Sequence, residues 1–204
     1  MTGEPPEESV ESIFVQLDLS IVVPPGVMPI TRASDLLASA VLKEVGEEDR
    51  VLDYGTGSGV NAILAARKSP NVVAVDIVPR AVAAARSNAV RNRVADRLTV
   101  LRSNGFDAVT GRFDVIIVDL ADTDERGLQT FFEGLDARLE DGGRVLINAA
   151  MDDDLGTLLA MISDHDLDRE MVTQRTVPRG LHRLTYAVFR LTRRDYRSLA
   201  NPAP

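Results

Sequence analysis

The chain has 204 residues, 45% of them hydrophobic, and a formal net charge of −8. That length and apolar content suit one compact domain, and the acidic balance excludes gripping a nucleic-acid backbone through the whole surface, so only a local basic patch remains for such a role. The absence of cysteine excludes disulfides, thiolate nucleophiles and thiolate metal sites; no apolar run is long enough for a bilayer and the acidic N-terminus is unlike a signal peptide, so a cytoplasmic protein with no membrane partner is expected.

Residues 1–11 combine Pro5 and Pro6 with four glutamates and read as a mobile acidic tail. Residues 12–30 read as an N-terminal arm or hairpin: Ser12 to Val23 is rich in β-branched residues, and the proline-rich PPGVMP interrupts it. The main domain is expected over 31–197. It opens on a helix, Thr31 to Val45, with Thr31 as N-cap and Leu36, Leu37, Ala40, Val41 and Leu42 on one broad face. Val51 to Ala66, VLDYGTGSGVNAILAA, reads as strand, tight turn and helix. Strand Asn71 to Asp76, helix Pro79 to Arg93, strands Arg97 to Ser103 and Phe113 to Asp119, helix Glu125 to Leu139 and strand Gly142 to Ala149 follow. After a helix near Leu155 to Ser163 come two strand-like runs, DREMVTQRTV and LTYAVFRLTR, with no helix between them. The alternation predicts a doubly wound α/β domain with a mostly parallel seven-stranded, Rossmann-like sheet and an antiparallel C-terminal edge pair. Residues 198–204 read as a frayed tail.

The glycine turn is the candidate ligand site. Gly55, Gly57 and Gly59 stand at alternate positions, where glycine lets the chain bend sharply and lets a ligand approach bare backbone. Dinucleotide sites space their glycines G-x-G-x-x-G, and here Val60 stands in the later place; no Gly-Lys-Ser/Thr follows, so a P-loop is excluded. Asp53, two residues before the first glycine, disfavours a pyrophosphate and suits an ammonium group, directly or through water. Asp76, ending the next strand, stands where a carboxylate can accept two hydrogen bonds from a ribose, or cap the helix that follows.

These residues resemble the class I S-adenosylmethionine-dependent methyltransferases, over roughly Val51 to Ala149. The resemblance implies that Asp53, Gly55 and Gly57 surround the methionine portion of S-adenosylmethionine, that Gly59 also belongs to the cofactor site, that Asp76 binds its ribose and that Ile77 lies against its adenine. It also implies that Asn104, in Ser103-Asn104-Gly105-Phe106, meets the adenine amino group, with Phe106 either apolar cover or part of a plain Asn-Gly turn. Within the class, VPPGVMPITRASDLLASAVL and the Ala81, Ala85, Arg86, Asn88 run look like the small-domain N-methyltransferases of ribosomal RNA, tRNA or protein amides. That group carries Asn/Asp-Pro-Pro-Tyr/Phe after the fourth strand, where this chain has Asp119-Leu120-Ala121-Asp122. Asp119 therefore becomes the candidate that touches cofactor and acceptor and orients or deprotonates the latter, with Asp122 second.

Asp119 also resembles the first acidic ligand of cation-dependent O-methyltransferases, but the later Asp152, Asp153 and Asp154 fit solvated helix-start charges better, and no metal centre is expected. A dinucleotide-dependent oxidoreductase and a non-catalytic binder of S-adenosylmethionine are the other readings. His165 and His182 read as solvated surface residues. The arginines from Arg175 to Arg197 read as a charged outer face of edge strands, with RNA phosphate or an acidic acceptor as the rival. Met28 and the flanking prolines are a second place for acceptor recognition. Acceptor identity and oligomeric state stay open.

Overall fold

The computed structural model describes residues 8–14, 18–119, 125–151, 155–179 and 182–195. Parallel strands buried on both faces should read as continuous apolar runs, and they do: β3 (Arg50–Tyr54), β4 (Asn71–Asp76), β5 (Leu98–Arg102), β6 (Phe113–Asp119) and β7 (Leu139–Ala150) form the parallel part of the sheet. The C-terminal strands β8 (Leu167–Arg179) and β9 (His182–Arg193) complete seven in the order β5-β4-β3-β6-β7-β9-β8, with β9 antiparallel to both its neighbours. This is the architecture expected from the alternation of elements. The order reverses at β3: β4 lies on one side and β6 on the other. Loops diverge there, and a crevice opens outside the carboxyl ends of the strands.

Side-chain alternation along the strands divides the core in two. Val51, Ala74, Val100, Val115 and Ile117 face α1 (Arg32–Glu44), α2 (Val60–Ala66) and α3 (Pro79–Arg91). Leu52, Val75, Ile116, Val118 and Ile147 face α4 (Glu125–Leu135) and α5 (Leu155–Asp164). The second side is aromatic, with Phe131 and Phe132 fully buried. Helix α4 stops at Leu135, earlier than the expected Leu139, because Leu139 is itself a buried strand residue paired with Phe113. α1 is started by a reciprocal cap: the Thr31 N–H donates to Ser34 Oγ at 3.2 Å, and the Ser34 N–H to Thr31 Oγ1 at 3.3 Å. No helix among the described residues is long and apolar enough to cross a membrane.

Ahead of the main domain, β1 (Val10–Phe14) and β2 (Leu19–Val23) form a separate antiparallel hairpin. Its attachment to α3 is unusual. Asn92 accepts the Ser20 N–H (3.1 Å) and donates to the Ser20 carbonyl (2.8 Å), while Asn88, one turn earlier, does the same for Val22, both at 2.9 Å. Two carboxamides at i, i+4 thus complete the backbone bonding of alternate residues of β2, as a neighbouring strand would. Residues 1–7, 196–204, 120–124 and 152–154 lie outside the described residues, whereas Val10 and Glu11 of the expected acidic tail belong to β1.

Candidate active site

Strands β3, β4, β6 and β7 all end at one edge, and there a cleft of about 300 Å³ is lined by the glycine turn, by Asp76, Val78 and Ala81, by Asn61 of α2, and by Asp119. Its remaining wall is the segment Gly26 to Thr31 with Ser34. The proline-rich arm therefore folds over the turn, held at Pro25 by Arg80, whose Nη1 donates to the Pro25 carbonyl at 3.3 Å. Met28 is 43% exposed on that arm.

The three glycines do different work. Gly55 (φ +74°) and Gly57 (φ +55°) are left-handed, and a Cβ on either would meet nothing within 4 Å, so they present bare backbone to open space. Gly59 (φ +90°) is buried away from the cleft; a Cβ there would stand 3.0 Å from both Cα and Cβ of Ala85 in α3. Close helix packing, which the dinucleotide spacing assigns to a later glycine, is supplied here by Gly59. The turn is tied to β4 by the Gly55 and Thr56 N–H groups, which both donate to the Val75 carbonyl at 2.9 Å.

Asp53 is not among the residues that line the cleft. The side chain is 2% exposed and sits behind the turn; its Oδ2 accepts the Thr56 hydroxyl (2.5 Å) and the Ala62 N–H (3.1 Å). Burial raises its carboxyl from the ordinary 3.8 to about 7; the two hydrogen bonds oppose that rise and the charges of Asp76 and Asp119 add to it. Its geometry is that of a brace from β3 through the turn into α2. Asp76, by contrast, is half-buried and lines the cleft, with Oδ2 accepting the Gly57 N–H (2.9 Å) and Oδ1 the Val78 N–H (2.8 Å). Bonding to both the turn and the start of α3 lets it combine loop bracing and helix-start roles. Asp119 ends β6 opposite Asn148 of β7, whose fully buried Nδ2 donates to Asp119 Oδ1 at 3.0 Å and fixes the carboxylate at the mouth.

Other predicted residues scatter. Ile77 is 55% exposed beside the cleft, and the neighbouring Val78 is the one that lines it. Asn104 is exposed in a turn in which the Asp107 N–H donates to its carbonyl, and it does not line the cleft. Phe106 belongs to the core, its ring 4.8 Å from Tyr54 and 5.8 Å from Phe131. His165 is half-buried, its ring centroid 5.4 Å from that of Phe132. Asp122 and Asp152 to Asp154 lie outside the described residues, and so does the side chain of His182. Among the described residues there is no group of three or more metal-binding side chains. The arginines at the end of β9 and just after it are internal partners: Arg190 pairs with Glu44 and Glu170, Arg193 with Asp136, Arg194 with Asp168. Sequence reading missed Asn61, whose buried Oδ1 has no hydrogen-bond partner among the described residues although the residue lines the cleft.

The family model for the methyltransferase small domain matches residues 19–164. The chain belongs to that family. The matched span begins at β2 and ends with α5, so the family's domain takes in both the arm and the cleft. Among its relatives, the ribosomal protein L11 methyltransferase of Dechloromonas aromatica is 34% identical over 146 residues, covering 71% of this chain and 46% of that protein. The chain spans less than half the length of the curated relatives it matches. In fold it is similar to precorrin 8w decarboxylase from Methanobacterium thermoautotrophicum (TM-score 0.69, 20% identity, 83% of this chain and 95% of that one). It is similar also to Methanocaldococcus jannaschii Trm5 (TM-score 0.71, 16% identity, 93% and 58%).

Proposed function

We propose that the protein is an S-adenosylmethionine-dependent methyltransferase acting on a nitrogen or oxygen of an acceptor that docks at Asp119. The observation that carries this reading is the convergence on one cleft of bare glycine backbone at Gly55 and Gly57, the Asp76 carboxylate, and Asp119. Membership of the methyltransferase small domain family supports it. The residues fit the cofactor: Asp76 has lone pairs left for ribose hydroxyls, Val78 and Ile77 offer apolar surface for a base, and the orphaned Oδ1 of Asn61 awaits a donor.

When bound, the cofactor supplies a methyl group on a positively charged sulfur. The chain's own work is then positioning and proton handling. The arm from Gly26 to Thr31 walls one side of the cleft and so narrows the approach of water to a bound ligand. Asn148 holds the Asp119 carboxylate in one orientation, so that it accepts a hydrogen bond, and then the proton, from the attacking N–H or O–H. Alignment of this kind is worth roughly 7 to 11 kcal/mol of barrier. The carboxylates of Asp76 and Asp119, which both line the cleft, favour a cationic ligand over a pyrophosphate.

Calorimetric titration with S-adenosylhomocysteine, NAD and NADP tests the reading: the thioether should bind and the dinucleotides should not, and the reverse pattern overturns it. A labelled-methyl assay over RNA, ribosomal protein and small-metabolite pools, with and without magnesium, then separates an enzyme from a non-catalytic binder and a cation-dependent from a cation-independent one.

A further inference from the structure

We infer that Asn88, remote from the chemistry, is a positioning residue that locks the glycine turn to the arm and so shapes the cleft from behind; the inference rests on the cofactor reading of that cleft. Asn88 is 1% exposed on α3. Its Nδ2 donates to the carbonyl of Ser58 at 2.8 Å and to that of Val22 at 2.9 Å, and its Oδ1 accepts the Val22 N–H at 2.9 Å. Both amide protons and the oxygen are thereby used.

The two partners belong to opposite walls. Ser58 lies between Gly57 and Gly59, both left-handed, so the direction of its carbonyl sets the peptide plane on which the turn reverses. One helical turn earlier on the same side of α3, Ala85 packs against Gly59, and the helix thus both touches and bonds the turn. Val22 is the penultimate residue of β2, and the chain runs from it directly into the segment Gly26 to Thr31 that lines the cleft. A single buried carboxamide therefore relates turn and arm, and a buried polar group with three satisfied bonds has no alternative partners to drift to.

The molecule contains its own control. Asn92 bonds Ser20 of the same hairpin and the carbonyl of Asn88 in its own helix, with no bond to the turn. Loss of Asn92 loosens the hairpin only; loss of Asn88 loosens the hairpin and the turn together.

The experiment is titration of S-adenosylhomocysteine into the full chain and into the Asn88→Ala and Asn92→Ala variants, with thermal melts of each. Both variants should melt lower, but only Asn88→Ala should weaken binding, by about tenfold or more, with Asn92→Ala within about twofold of the native protein. Hydrogen exchange supplies a second readout: ligand should protect amides of the arm in the native chain and in Asn92→Ala, and fail to do so in Asn88→Ala. Should Asn88→Ala not fold, Asn88→Asp keeps the volume and the acceptor for the Val22 N–H while removing the donor to both the Ser58 and the Val22 carbonyls, and the same loss of affinity is expected. Equal affinities in all three proteins, or equal weakening in both variants, overturns the inference. Absence of binding by the native protein overturns the cofactor reading itself, and this inference with it.

Discussion

Asp53→Asn should remove one pH-dependent contribution to stability. In the unfolded chain the Asp53 carboxyl ionises near 3.8, and in the folded protein near 7, because burial penalises its charged form. Between those values the folded state holds a proton that the unfolded state has released. The group's contribution therefore falls as pH rises from about 3.8 to about 7 and is constant above. From pH 5.5 to 8.5 the loss spans about 1.5 pH units below the folded value, and at about 1.36 kcal/mol per unit this is roughly 2 kcal/mol. Asn keeps the shape and an oxygen for the Thr56 hydroxyl and the Ala62 N–H, and it has no charge to desolvate. Urea unfolding of both proteins at the two pH values isolates the effect, since every other group titrates alike in both. The native protein should lose about 2 kcal/mol relative to Asp53→Asn on going to the higher pH. Stability curves that stay parallel would refute the claim that this carboxyl is carried buried and protonated.

Asp76→Ala should weaken S-adenosylhomocysteine by about 1 to 3 kcal/mol, through loss of a charge-assisted bond and of the partner of the Gly57 N–H; unchanged affinity in calorimetry removes the ribose role. Gly59→Ala places a Cβ at φ +90° against Ala85 backbone and should cost at least about 2 kcal/mol in urea unfolding, whereas a near-native midpoint would show that α3 can retreat. Arg190→Ala, which frees Glu44 and Glu170 together, should cost about 1 kcal/mol at low salt and less in about 1 M NaCl; a salt-independent loss would point to packing of its alkyl chain instead.

The frame of the molecule is written in local pattern. Asn71–Asp76 and Phe113–Asp119 match the expected strands because parallel strands covered on both faces must be apolar throughout, and Pro79 marks the start of α3 because its missing N–H costs nothing there. What failed to show was anything decided by side-chain direction across long sequence separations. Asp53 and Asp76 are both strand-end aspartates in the sequence; only packing reveals that one is behind the turn and the other in front of it. Asn88 stands out only as part of a run resembling a family and Asn92 not at all, and neither residue's structural role is legible, since their partners lie 66 and 72 positions away. Leu139 extends the helical period of α4 and yet pairs as a strand residue, and Phe106 packs against an aromatic core whose extent no single segment discloses. Asn61 offered no signal apart from its place at the start of α2.

Helix α3 has a consequence beyond the cleft, for how this chain keeps company with copies of itself. Strand borders are sticky because their unused N–H and C=O groups can recruit a passing chain. On one flank α3 occupies both groups of Ser20 and of Val22 with Asn92 and Asn88; on the other, Arg86 donates to the Val100 carbonyl of the terminal strand β5 at 2.6 and 3.2 Å. One helix thus insulates two borders belonging to different sheets, using side chains where most proteins use prolines, lysines or another strand. Its polar side chains hold backbone groups of Ser20, Val22 and Val100 that an incoming strand would otherwise need for pairing.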